Sequence, residues 1–225
     1  MSTTHTAFFY GTLLHPSILR RVIGHEGGDL KMCPGLLLEH TRHKIKIADY
    51  PAMIPYSRSK PLFKGKELPA EERCVRGTLV TGLNDEDVAL LDTFEGDEYT
   101  RETVSVHPLT EFFPLSSKDT SHDSDIVPSI IPSVPPLDSL SPPISAQTYI
   151  WKSNGDHLLS TETWEFEDFI QNHESKWVGS DVQRADYVEV DKRRAMNGSI
   201  VHHEIIKEPG EKAKAVVEVE DASKS

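Results

Sequence analysis

Short apolar runs in the first half of this chain alternate with turn residues rather than with helices. Residues 7–10, 75–80, 99–106 and 146–151 each read as extended and 36–47 contains a strand, with β-branched and aromatic residues between Gly, Pro, Asn and Asp punctuation. Within 36–47, His43, Ile45 and Ile47 share one face and Lys44 and Lys46 the other, the period of a strand. A doubly wound parallel sheet needs regular strand–helix alternation, and that is missing. The pattern therefore predicts an α+β fold: a small mixed β-barrel with a few packed helices.

One stretch breaks the pattern. Eight prolines and nine serines fall between Pro108 and Ser145, out of 15 prolines in 225 residues. Proline cannot donate to a strand ladder, and serine buries little surface, so such a segment does not offset its ordering entropy. We read 108–145 as a flexible insertion between two strands of one domain spanning 6–190. Beyond it, residues 164–173 carry a helical pattern, with Phe166, Phe169, Ile170, His173 and Trp177 on one face. Residues 191–225 are charge-rich and are expected to form a weakly packed C-terminal extension. Apolar residues make up only 37% of the chain, which fits a core confined to part of it.

Two helices carry end signals. Pro16 suits a first helical turn, Ile18, Leu19 and Val22 form a stripe, and Gly24 ends it. Asn84 is a candidate N-cap ahead of Asp85, Glu86 and Asp87, where the helix dipole favours negative charge. Val88, Leu91 and Phe94 form its apolar stripe, and Gly96 is expected in the left-handed position that terminates helices. This second helix places Glu95 in its last turn. Unpaired carbonyls there carry partial negative charge, and with apolar neighbours such as Phe94 they favour the protonated carboxyl. A carboxylate of raised proton affinity is a competent general base near neutral pH. The alternative is a solvated helix end, or an ion pair with Arg101.

Tyr10, Gly11, Thr12, Leu13, Leu14 and His15 follow the first strand and lead into the first helix. Such a junction can present successive backbone N–H groups to one anion, and Gly11 allows close approach. An ordinary strand-to-helix turn reads the same way. His15 either caps the helix or lines a pocket.

Together these segments resemble the gamma-glutamylcyclotransferase-like family, especially the branch of gamma-glutamylamine cyclotransferase and the avirulence-induced plant proteins. The resemblance rests on the run Tyr10 to Leu13, on Tyr50, Pro51 and Ala52, and on Val75, Gly77 and Leu79. It continues through Leu91, Asp92, Phe94, Glu95 and Gly96 with Tyr99, Arg101 and Val104, and ends on Tyr149 and Trp151. It implies a barrel-like fold with a cavity and an intramolecular reaction. The free α-amine of a γ-glutamyl group attacks its own γ-carbonyl, giving 5-oxoproline and a free amine or peptide. By resemblance Glu95 is the acid/base, and the backbone from Tyr10 to Leu13 holds the α-carboxylate, with Leu14, His15 and Tyr99 as further substrate-binding candidates. A small-molecule-binding or stress-response module without turnover is the rival reading on the same fold. The family needs no metal or other cofactor.

Other classes are disfavoured. A net charge of −12 argues against non-specific binding to nucleic acid or to anionic membrane. No apolar run approaches the roughly 20 residues of a membrane span. The polar N-terminus lacks a secretory pattern, and Cys33 and Cys74 make no disulfide framework, so a cytoplasmic protein is expected. Of 11 histidines, His40 with His43 and His202 with His203 are the closest pairs, and neither has a third ligand at zinc-like spacing.

Overall fold

The computed structural model describes residues 3–46, 48, 50–115, 126, 128 and 132–164. The expected helix over 164–173, apart from Trp164, and the expected tail over 191–225 lie outside the described residues.

Five strands close a mixed barrel. In ring order they are β5 (Cys74–Leu83), β1 (His5–Phe9), β8 (Ile144–Trp151), β6 (Tyr99–Pro108) and β2 (Lys31–Leu38), which pairs back with β5. Every pairing in the ring is antiparallel except β1 with β8, a parallel contact registered at Ala7 and Gln147. A second sheet joins β4 (Pro51–Pro55), β3 (His40–Ile45) and β9 (Leu159–Thr163).

The period-2 alternation of these strands fills the ring. Phe8, Cys33, Leu37, Val75, Leu79, Val106, Ala146 and Ile150 form an inner cluster, with Met53 of β4 entering it. A five-stranded ring is narrow, because barrel diameter grows with strand number. Gly77 answers that constraint: a Cβ there would lie 2.3 Å from the Phe9 carbonyl oxygen and 2.5 Å from the Phe8 ring. Gly35 sits directly opposite it in the β2–β5 register.

The alternate residues Ala7, Phe9, Met32 and Val80 point into an outer cluster with α1 (Pro16–Ile23) and α3 (Asp85–Glu95), while the single turn α2 (Tyr56–Ser59) follows β4. Both helices begin as their sequences dictate. The Asn84 side chain accepts from the Glu86 and Asp87 amides while Asp87 accepts from the Asn84 amide, a complete capping box. Gly24 ends α1 in the left-handed region. Gly96 departs from that expectation: its φ is 73° but its ψ is −168°, an extended exit that turns the chain straight into β6.

The strand expected within 36–47 is β3, in which His43 and Ile45 share the buried face, and Glu39 at φ 54° separates it from β2. The boundaries drawn at 108 and 145 fall inside β6 and β8, and β7 (Phe113–Pro114) pairs with β2. The Leu115 amide donates to the Leu30 carbonyl at 2.9 Å, and Leu115 and Ile126 are buried. Apolar residues scattered among the prolines give these parts of the insertion a face to bury.

Candidate active site at the barrel rim

The end of β1, the end of α3 and the start of β4 converge on one cleft. Phe9, Tyr10, Gly11, Thr12 and Leu13 line it from the first segment, Phe94 and Glu95 from the second, and Tyr50 and Pro51 from the third. Phe8, Tyr99 and Tyr149 complete the lining. The cleft is narrow, about 20 Å³, which is space for about one water molecule.

Helix α3 delivers Glu95. Burial of Val88, Leu91 and Phe94 fixes the rotation of the helix, and Glu95 is its half-buried last residue. Its negative charge reaches the phenols around it. The Tyr10 hydroxyl is held well above its ordinary pKa, first by burial and then by Glu95. Tyr149 is raised by the same two causes in the same order, with Asp92 adding to them. Both phenols therefore stay protonated at neutral pH.

The loop after β1 lines the same cleft as Glu95. The Leu14 amide donates to the Gly11 carbonyl at 3.0 Å and the His15 amide to Thr12 at 3.2 Å, closing a tight turn over Thr12–Leu14. Among the described residues, the amides of Gly11, Thr12 and Leu13 donate to no acceptor. The Arg42 guanidinium donates to the Tyr10 carbonyl at 2.7 Å, and the Tyr10 hydroxyl donates to the Tyr149 carbonyl at 2.6 Å. These two bonds tie the loop to β3 and β8. Gly11 also meets the opposite wall closely: a Cβ there would lie 3.2 Å from the Pro51 ring.

Two sequence-predicted site residues are placed elsewhere. Leu14 is buried in the outer cluster, where its side chain supports α1. His15 is the N-cap of α1, its Nδ1 accepting from the Ser17 amide at 3.2 Å. Neither lines the cleft, because the turn of Thr12–Leu14 swings the chain away. Tyr99 does line it, but its hydroxyl proton goes to the Pro51 carbonyl at 2.9 Å, and its ring meets Trp151 edge-on. Arg101 pairs through Nε with Asp92 Oδ1 at 2.9 Å.

The site also holds residues that sequence reasoning did not assign to it. Tyr50, Pro51, Phe94 and Tyr149 line the cleft, and Arg42 braces it. The i−3 spacing of Asp92 from Glu95 and the two-residue spacing of Tyr149 from Trp151 were available signals, but neither says which side chains meet. Thiol chemistry is disfavoured: Cys33 and Cys74 are free, and burial pushes them up to about 12 and about 11. Among the described residues no three His, Cys, Asp or Glu are grouped to hold a metal. Nor is any helix among them long and apolar enough to cross a membrane.

Among curated relatives, AIG2-like protein D of Arabidopsis thaliana is 27% identical over 76% of this chain and 82% of its own length. Protein AIG2 C of Arabidopsis thaliana is 22% identical over 78% of each. Among solved structures, a yeast gamma-glutamyl cyclotransferase specific to glutathione aligns at 13% identity, covering 87% of this chain and 86% of that one, with a TM-score of 0.49. A mouse AIG2-like protein aligns at 17% identity, covering 73% and 90%, with a TM-score of 0.40. Residues 7–166 match the family described as "Gamma-glutamyl cyclotransferase, AIG2-like", and the chain belongs to that family.

Proposed function

We propose that this protein is a gamma-glutamylcyclotransferase, converting a γ-glutamyl amine or peptide to 5-oxoproline and the free amine. One observation carries this reading: Glu95 lines the same cleft as Gly11, Thr12 and Leu13, whose amides donate to no acceptor among the described residues. A carboxylate facing a row of N–H donors suits the zwitterion of an α-amino acid, its ammonium towards Glu95 and its carboxylate towards the loop.

The chemistry needs no covalent enzyme intermediate. Glu95 takes a proton from the α-ammonium, and the freed amine attacks the γ-carbonyl carbon. A five-membered ring forms through a tetrahedral intermediate. The γ-carbon to nitrogen bond then breaks as the carboxylic acid of Glu95 returns the first proton to the departing nitrogen, and the ring nitrogen's second proton passes to the same carboxylate and on to the free amine, so that a neutral lactam and an ammonium leave. No water is consumed. Fixing both ends of the glutamyl group brings amine and carbonyl together, and such orientation contributes several kcal/mol to ring closures. Tyr10 and Tyr99 act here as struts, because their hydroxyls bond to the Tyr149 and Pro51 carbonyls. A glutamyl group is larger than the narrow cleft, so binding requires the lining to open. Small-molecule recognition with no metal, nucleic acid or membrane is part of this reading.

The test is 5-oxoproline release from a panel of γ-glutamyl amines, γ-glutamyl amino acids and glutathione. Glu95→Gln is expected to lower turnover by at least about a hundredfold, the range for loss of a general acid/base, with an unchanged thermal melt. Full turnover in that variant removes Glu95 from the mechanism. Calorimetric binding without product in the parent protein would instead identify a binding module.

A further inference from the structure

Tyr149 ends a chain of polar side chains that the reaction above does not use. The Tyr149 hydroxyl donates to Asp92 Oδ1 at 2.9 Å. The same Oδ1 receives Arg101 Nε at 2.9 Å, and Arg101 Nη1 donates to Gln147 Oε1 at 2.6 Å. Three elements build the chain. Asp92 stands one turn before Glu95 on α3, while Arg101 on β6 lies directly across the ladder from Tyr149 on β8.

This arrangement fixes the direction of one proton. A phenol has one hydrogen to donate and lone pairs to accept with. With its hydrogen held by Asp92, Tyr149 Oη can act towards the cleft only as an acceptor. Among the described residues nothing donates to it. Tyr149 itself lines the cleft with Glu95, whose charge adds to the burial that raises the Tyr149 pKa. Without Asp92 the hydroxyl would be free to turn its hydrogen towards the Glu95 carboxylate and occupy it.

We infer that Asp92, anchored by Arg101, is a positioning residue for a primary-ammonium ligand, acting through Tyr149 Oη as a second acceptor beside Glu95. The inference rests on the proposed reaction only for the kind of ligand. Stability does not explain the chain well. The Asp92 and Arg101 side chains are 43% and 32% exposed, and a pair that exposed contributes little to folding.

The experiment is calorimetric titration of the full-length protein with L-glutamine and N-acetyl-L-glutamine, which differ in the free ammonium. The parent is expected to prefer L-glutamine by at least about tenfold, the scale of one hydrogen bond to a charged group. Asp92→Asn and Tyr149→Phe are each expected to reduce that preference about tenfold with unchanged melts, and the double variant to lose no more than the worse single one. Arg101→Gln serves as an independent variant, expected to lose part of the preference. A parent that does not discriminate, an Asp92→Asn protein that keeps full discrimination, or losses that multiply in the double variant would each overturn the inference. Discrimination without 5-oxoproline release refutes the cyclotransferase reading and leaves this one standing.

Discussion

His15 illustrates how one residue's neighbours decide its chemistry. Its Nδ1 accepts the Ser17 amide, so its single proton sits on Nε2 and the ring is neutral. Burial, and then the Arg20 charge, hold its pKa down to about 4 from an ordinary 6.5. The unfolded chain therefore binds a proton that the folded chain refuses between these two values. Stability contributed by the neutral ring is complete above about pH 6.5 and is lost progressively as pH falls towards 4, about 3 kcal/mol in all. His15→Asn keeps an N-cap acceptor and removes the titration. We expect it to flatten the fall of the melting temperature between pH 6.5 and 4, measured against the parent by calorimetry. An unchanged slope would place the acid sensitivity elsewhere. Glu95 and the loop from Tyr10 to Leu13 were legible in the sequence because each sits at a punctuated element end. The bond from Tyr149 to Asp92 was not, because those residues are 57 apart in the chain.

Legibility at the level of elements follows the same division. Helices α1 and α3 announce themselves through Pro16, Asn84 and their apolar stripes, all within a few residues of one another. The break at Glu39 and the short strand β9 have no comparable local signal, and β9 is defined by its pairing with β3. Proline and serine content described the insertion by its average and overlooked its apolar residues. Leu115 is 3% exposed and closes over Gly27, where an added Cβ would lie 2.7 Å from its Cδ2. Leu115→Ala is expected to destabilise the protein by about 2–3 kcal/mol, the cost of emptying a buried leucine site. Urea unfolding measures this directly, and a loss below about 0.5 kcal/mol would mean that the insertion contributes no core.

For the molecule as a whole, the ring has room for its own side chains and little else, so the cleft lies at its rim. Gly77→Ala tests how tight that ring is. Its Cβ would meet backbone at the Phe9 carbonyl, which cannot step aside as a flexible side chain can. We expect a loss of at least about 3 kcal/mol, at the upper end of overpacking, or no soluble protein. Gly28→Ala is the control, with open space around the added methyl and an expected change within about 0.5 kcal/mol. Equal stability of the two variants, measured by denaturant titration, would show that the barrel relaxes. The barrel class was readable from the strand-and-turn texture, but its closure was not. The parallel meeting of Ala7 with Gln147 joins the first and the last strands of the ring in chain order.

That meeting also orders events in time. During synthesis the stave that shuts the hoop emerges after the other four. Until then β1 and β6 each keep an open flank, the kind of unpaired border on which aggregation begins. Tyr149 arrives on that final stave, so the pocket comes into being in the same step that seals the wall, and an unfinished chain has neither.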